Sequence, residues 1–180
     1  RFEKKDGTYV DAQDQIEEIE KIEREETDYT RNIKERAAVF RFRQAYQNSF
    51  QARMDWCTQP YGNANHEPIV KIKGNRELNV YPGEQVILDA SETWDPDGDP
   101  IHFRWWIYKE AGTYSGTVEL VGKITKQLTI RIPEDGKPGT IHVLLEVTDE
   151  GEPSLTSYQR IVVTVLEKKK ESRPKRQKER

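Results

Sequence analysis

The sequence contains a single cysteine and a single methionine, and it has no long apolar run. Because Cys57 has no second cysteine to pair with, an internal disulfide and a cysteine-based metal cluster are excluded. A lone thiol beside Trp56 is typical of a small packed hydrophobic residue. No run of about 18 apolar residues occurs, so insertion into a membrane is not predicted. The chain begins at Arg1 with neither a methionine nor an apolar signal segment, and we therefore expect a piece of a longer protein.

Charge is abundant but unevenly placed. Apolar residues make up 34% of the chain and charged residues another 34%, with a net charge of -3. Residues 11–28 carry nine acids against two bases, whereas residues 167–180 carry eight bases against three acids. The basic segment has no apolar residue to bury and no interleaved aromatic residue to stack on bases. We therefore expect a disordered basic tail at 167–180 and no nucleic-acid binding.

Residues 1–60 have a helical pattern. Asp11 begins a first helix, because a short acidic side chain can accept hydrogen bonds from the N–H groups of a first turn. A second helix is predicted over about 31–55, where apolar residues recur at spacings of three and four. Prolines, a glycine and asparagines then interrupt the pattern, so residues 61–68 are predicted to be a linker. The apolar stripes are Ile16, Ile19 and Ile22 on the first helix, and Val39, Phe42, Tyr46, Phe50 and Met54 on the second.

From Ile69 onward, apolar residues alternate instead of following the helical spacing. Seven short segments rich in β-branched and aromatic residues are separated by turn sequences, and seven strands in about 100 residues are typical of an immunoglobulin-like sandwich. We therefore predict a mainly β fold, with a seven-stranded immunoglobulin-like β-sandwich over residues 69–166 preceded by a helical segment. The segments are "IVKI", "EQVILDA", "IHFRWWIY", "TVEL", "QLTIRI", "TIHVLLEVTD" and "SYQRIVVTV".

Two resemblances refine this prediction. The stretches "PGEQVILDASETWDPDGDPIHFRW", "GTIHVLLEVTDEGEPS" and "QRIVVTV" resemble polycystic-kidney-disease-type modules and their cadherin-like relatives, over residues 68–166. The stretches "FRFRQAYQNSFQARMDWC" and "NANHEPIV" look like the junction in bacterial secreted proteins that join a nucleoside-hydrolase-like domain to a C-terminal sandwich described as cellulose-binding.

The second resemblance implies that residues 1 to about 60 are the last helices of a hydrolase-like domain. It also implies that the parent protein cleaves N-glycosidic or related bonds and is secreted, periplasmic or attached to the cell envelope. The metal-binding aspartate motif of such a domain belongs near its start, and nothing in this chain matches it. No catalytic residue can therefore be assigned here, and whether the chain is part of an enzyme stays open.

The strand that begins at Ile101 has two different faces. Successive side chains of a strand point to opposite sides of its sheet. In the modules that the sequence resembles, the tryptophan two residues after the aromatic one is the core ring, so Trp105 is predicted to be buried and Trp106 to face outward. The inner face comprises Ile101, Phe103, Trp105 and Ile107, and the outer face His102, Arg104, Trp106 and Tyr108.

Alternation in the last two strands extends this outer face. Antiparallel pairing from the shared turn predicts three cross-strand rows, although the register could differ by two residues. The rows are Arg104–Glu146–Arg160, Trp106–Leu144–Val162 and Tyr108–His142–Thr164. An outer face that carries a tryptophan beside two aliphatic residues is unusually apolar, which indicates an interface.

Three uses of this face stay open. The indole could stack on a pyranose while neighbouring polar groups bond the hydroxyls, the upstream helices could cover the face, or the face could be inert. We predict binding of a polysaccharide, cellulose or a related glycan. The alternative is a structural accessory domain, without a ligand, that docks on its own N-terminal hydrolase-like domain. The candidate ligand-binding residues are Arg104, Trp106, Tyr108, His142, Glu146 and Arg160.

The turn before this strand, "DPDGDP", raises the question of a metal. Oxygen ligands at alternate positions suit Ca²⁺, and the turn that holds Asp149 is expected at the same end of the sandwich. The same residues also build turns in which aspartate accepts from its own backbone, and both interpretations stay open. The candidate metal ligands are Asp95, Asp97, Asp99 and Asp149. A zinc triad of His66, His102 and His142 is not predicted, because these residues are far apart in the sequence.

Overall fold

A computed structural model of the chain describes residues 2–3, 9–10, 36–37 and 39–168. The first predicted helix, which begins at Asp11 and includes Ile16, Ile19 and Ile22, lies outside the described residues, as does most of the predicted basic tail, from residue 169 onward. The chain divides into two compact units, Arg1–Ala64 and Asn65–Arg180. The division falls within the segment that the sequence predicts to be a linker.

The first unit contains a short strand pair and a helix within its described residues. Strands β1 (Phe2–Glu3) and β2 (Tyr9–Val10) pair antiparallel. Helix α1 covers Arg43–Thr58, and a 3-10 turn follows at Tyr61–Asn63. In the part of the chain that the structure describes, no helix combines the length and the apolar character needed to cross a membrane.

Helix α1 differs from the predicted helix at both ends. Residues 36–37 and 39–41 are helical, but Phe42, with φ -100° and ψ 4°, separates them from α1. At the other end α1 continues past Asp55 to Thr58. It stops there because Pro60 disfavours helical backbone at the preceding residue, and Gln59 is extended.

The apolar stripe of α1 faces outward. Tyr46, Phe50 and Met54 follow one another at intervals of four residues, as predicted, and they are 48%, 67% and 53% exposed. Cys57 is also exposed. The prediction that its thiol is a packed core residue is therefore wrong, because the helix places it on a face that the unit does not bury.

The second unit is a sandwich of two sheets. A four-stranded sheet has the order β3-β9-β8-β5, and a three-stranded sheet has the order β4-β7-β6. Strand β3 runs parallel to β9, and the other neighbours are antiparallel. The predicted mainly β, seven-stranded sandwich is thus confirmed. Its strands are β3 (Glu77–Val80), β4 (Gln85–Asp89), β5 (Ile101–Ile107), β6 (Glu119–Val121), β7 (Gln127–Arg131), β8 (Gly139–Asp149) and β9 (Thr156–Val165).

The first predicted strand is wrong. "IVKI", residues 69–72, forms only an isolated bridge between Ile69 and Trp94. The next hydrogen bonds of this segment go to the Thr93 hydroxyl and the Asp89 carbonyl rather than to a continuous strand. Strand β3, which the sequence pattern missed, takes its place.

Alternation correctly divides the core from the surface. Trp105 is 1% exposed, and its indole N–H donates to the carbonyl of Thr125 at 2.8 Å. This bond ties β5 of one sheet to the loop between β6 and β7 of the other, and it satisfies the only polar atom of a large buried side chain. The core also contains Val86, Leu88, Phe103, Leu128, Ile130, Ile141, Val143, Leu145, Val147, Ile161, Val163 and Val165.

Candidate functional site

The outer face of the four-stranded sheet brings most of the predicted ligand-binding residues together. In the β5–β8 pairing, Arg104 lies opposite Glu146 and Trp106 opposite Leu144, as predicted. Strand β9 extends the same rows on the other side of β8. The face therefore carries charged, aromatic and aliphatic side chains in adjacent rows.

The third member of each predicted row is wrong. Glu146 pairs with Tyr158 rather than Arg160, and Leu144 pairs with Arg160 rather than Val162. His142 pairs with Val162. Strand β9 is shifted by two residues, which keeps every side chain on its predicted face but gives it a different neighbour.

Trp106 and Tyr108 do not form a flat platform. Their ring centroids are 5.8 Å apart and their planes are inclined by 70°, so Tyr108 meets the indole edge to face. Tyr108 lies just beyond β5, where its N–H donates to the carbonyl of His142 at 2.8 Å. Trp106 is partly buried, and Leu144 beside it is only 8% exposed. The aromatic surface for a ligand is thus a single indole.

The charged row of this face contains an ion pair, Arg104 with Glu146, and a tyrosine, Tyr158, whose pKa is raised. Arg104 and Glu146 approach to 3.7 Å, an exposed pair that contributes little stability. Burial raises the pKa of Tyr158 to about 12, and the negative charge of Glu146 adds to this effect while Arg104 opposes it. The phenol therefore stays protonated and can donate a hydrogen bond at any physiological pH.

A groove of about 440 Å³ opens beside Trp106. It lies where β5 ends, between the following loop and the first half of β8. No acidic side chain is among the residues that line it, all of which lie within 105–142. The polar and aromatic lining consists chiefly of Trp106, Lys109, Tyr114, Lys123, Thr140 and His142.

The sequence predicted only part of this groove. Trp106 and His142 were candidate residues, whereas Lys109, Tyr114 and Lys123 were missed. These three residues lie in connections between strands, where apolar residues follow neither the helical nor the strand spacing. The one available signal was the loop sequence "YKEAGTYSG", which places two glycines beside a tyrosine and a lysine.

The acidic turn has the hydrogen bonds of a structural turn. Oδ1 of Asp95 accepts from the backbone N–H of Asp97 at 2.9 Å and of Asp99 at 3.2 Å. Gly98 has φ +83°, which side-chain-bearing residues rarely adopt. The Asp97 carboxylate in turn contacts Nδ1 of His66 at 3.0 Å. Oδ1 of Asp95 and the Asp97 carboxylate are therefore used by the protein, whereas Oδ2 of Asp95 is buried without a partner among the described residues.

Asp149 lies near the same turn in a buried position. It is 2% exposed, and Oδ1 accepts from the N–H groups of Gly151 and Leu155 while Oδ2 accepts from the Asn65 amide. Burial raises the pKa of Asp149, the nearby charge of Asp95 raises it further, and the hydrogen bonds lower it in part.

A cation is chemically compatible with this acidic cluster. Oxygens of Asp95, Asp97 and Asp99 lie within 4.8 Å of one another, and within the described residues this is the single group of three or more such ligands. Ca²⁺ binding by these residues and Asp149 stays a prediction.

The three histidines have separate surroundings. His66 bonds Asp97, His102 approaches Glu150 at 2.6 Å, and His142 lines the groove beside Trp106. That these three histidines do not form a zinc triad stays a prediction.

Comparison with known proteins supports the resemblance that the sequence indicates. Residues 85–165 match the family described as "Cellulose-binding protein Sde0182, C-terminal domain". No curated protein matches the chain.

Two solved structures are similar to parts of the chain. A nucleoside hydrolase-related protein from Saccharophagus degradans, associated with carbohydrate metabolism, shares 37% identity with a TM-score of 0.68 over 71% of this chain. The aligned region is 33% of that protein, so the chain spans about a third of its length. The PKD domain from KIAA 1837 protein shares 23% identity with a TM-score of 0.43, over 58% of this chain and 92% of that domain.

Proposed function

We propose that this chain, whose residues 85–165 match the C-terminal domain family of a cellulose-binding protein, binds a polysaccharide through the outer face of its four-stranded sheet. Cellulose or a related glycan is the proposed ligand. A secreted, periplasmic or cell-envelope location is part of the same proposal, because polysaccharides of this kind lie outside the cell.

The observation that carries this proposal is the position of Trp106. Its indole faces outward from β5 and lines a groove that also offers polar groups, including His142 and Thr140. Saccharide sites commonly combine an aromatic ring for the apolar face of a pyranose with a few placed donors and acceptors for its hydroxyls. Arg104, Glu146 and Arg160 extend the polar surface along the sheet.

The experiment compares Trp106→Ala with the wild-type chain for retention on insoluble cellulose and for melting temperature. We expect retention to fall about twofold to twelvefold, since an aromatic stacking contact contributes about 0.5–1.5 kcal/mol. Trp94→Ala is the matched control, because Trp94 is 47% exposed and lies before the start of β5 rather than near its end. Loss of stability with unchanged retention would contradict the proposal, and loss of retention in Trp94→Ala alone would move the site to the other end of the strand.

The alternative is a structural domain that packs on a hydrolase-like domain of the parent protein. One observation favours it. Tyr46, Phe50 and Met54 expose an apolar stripe on α1. Exposed apolar stripes of this kind commonly contact further protein. In this case Trp106→Ala lowers the melting temperature of the parent protein and leaves its retention on glucan unchanged.

A further inference from the structure

We infer that the groove beside Trp106 selects a saccharide that carries carboxylates, such as an oligomer of uronic acid, over a neutral glucan of equal length. This inference rests on the proposed function, because it assumes that a saccharide occupies the groove. It adds the charge of the ligand, which neither the aromatic ring nor the fold determines.

The charge of the lining carries the inference. Lys109 and Lys123 both line the groove, and no aspartate or glutamate does so. The chain as a whole has a net charge of -3, so this local excess of positive charge does not follow from the composition. Both lysines are exposed, so their side chains can reach a ligand bound beside them, and two positive charges beside one groove favour a ligand with negative charge.

Unused hydrogen-bonding groups point to the same site. The Tyr114 hydroxyl and Nδ1 of His142 are buried and have no hydrogen-bond partner among the residues that the structure describes. Buried polar atoms are nearly always paired, so these two atoms are suited to bind a ligand oxygen. Burial raises the pKa of Tyr114 and the negative charge of Asp135 raises it further, which keeps the phenol protonated as a donor.

The loop that holds Tyr114 is closely packed. A Cβ atom on Gly116 would lie 2.8 Å from the Tyr114 ring, and one on Gly139 would lie 2.8 Å from the Tyr114 Cα. Glycine at both positions therefore allows Tyr114 to pack closely against its own loop and against β8. The donor is positioned before a ligand arrives, which reduces the entropy that binding costs.

The experiment is a calorimetric titration of the chain with two tetrasaccharides, one of galacturonic acid and one cello-oligosaccharide. At low salt we expect the acidic ligand to bind about tenfold more tightly, since each of two exposed charge pairs strengthens binding by a few-fold. Raising the salt from about 0.05 M to about 0.5 M should remove most of this preference. Lys109→Met and Lys123→Met should each weaken binding of the acidic ligand about twofold to fivefold, and should weaken binding of the neutral ligand less.

Lys126→Met is the matched control, because Lys126 is exposed and does not line the groove. Equal affinity for the two ligands, or an unchanged preference in the Lys109→Met/Lys123→Met double variant, overturns the inference. The proposed function then still stands if the neutral ligand binds and Trp106→Ala abolishes that binding. Binding of neither ligand overturns both proposals. Equally tight binding of a sulfated tetrasaccharide identifies a general polyanion site and overturns the assignment to carboxylates.

Discussion

Substitution of the two adjacent tryptophans should lower the free energy of unfolding by very different amounts. Trp105 is 1% exposed, and a buried aromatic side chain removes about 150–250 Å² from water. At about 25 cal/mol per Å², the loss on Trp105→Ala is about 4–6 kcal/mol, close to the 3–5 kcal/mol typical of such substitutions. The Thr125 carbonyl also loses its donor, which adds about 1 kcal/mol.

Trp105→Phe keeps most of the apolar area and loses the indole hydrogen bond, so we expect a cost of about 1–3 kcal/mol. This variant keeps the comparison measurable if Trp105→Ala does not fold. Trp106→Ala removes a partly exposed ring, and a cost of about 1–2 kcal/mol or less is expected. The ranking of the three variants therefore tests which tryptophan is the core residue.

Urea unfolding followed by far-ultraviolet circular dichroism measures these differences, with melting temperature as a second readout. In a sandwich of about 100 residues, each kcal/mol shifts the melting temperature by about 4–8 °C, so Trp105→Ala should lower it by at least about 15 °C. If Trp106→Ala destabilises the chain as much as Trp105→Ala, both rings are interior and the inward–outward assignment of β5 is refuted.

Three further outcomes follow from the charged groups. Because Asp149 has a raised pKa in the fold, its contribution to the free energy of unfolding is greatest below the unfolded value of 3.8 and is lost as pH rises through the folded value. In urea unfolding, Asp149→Asn should remove the part of the pH dependence in which stability falls as the pH rises above 3.8, and an unchanged profile would argue against it. Tyr158 should titrate near pH 12 by ultraviolet absorbance, and Glu146→Gln should lower that value; titration near the ordinary pKa of 10.0 contradicts the assigned environment. Millimolar Ca²⁺ should raise the melting temperature and a chelator should reverse that rise, because a bound cation would pair the buried Oδ2 of Asp95, which has no partner among the described residues. An unchanged melting temperature would show that the turn does not bind the ion.

Parts of the candidate site were predictable because successive side chains of a strand point to opposite faces of its sheet. The outward positions of Arg104, Trp106, His142, Glu146 and Arg160 follow from alternation alone. The neighbours of these residues on β9 do not follow from alternation, since a shift of β9 by two residues leaves every side chain on the same face of the sheet. The turn after β8 decides between the registers.

Hydrogen bonds around Asp149 define that turn. Its backbone N–H donates to the Leu155 carbonyl at 3.0 Å, and its carboxylate accepts from the Leu155 N–H at 2.8 Å. Thr148 then pairs with Thr156, which sets every later pair of the ladder. The hydrogen bonds of this turn have no signature in the pattern of apolar residues.

The sequence by itself determined the class of fold and which side chains of β5 and β8 share a face, because these follow from a period of two residues. The choice of Trp105 as the core tryptophan came from the resemblance to known modules. Only the tertiary structure decided that Glu77–Val80 rather than "IVKI" forms the first strand of the sandwich, because its partner β9 is distant in sequence. The tertiary structure also assembled the groove beside Trp106. Lys109, Tyr114 and Lys123 come from connections without periodicity, and their proximity depends on how the two sheets pack against each other.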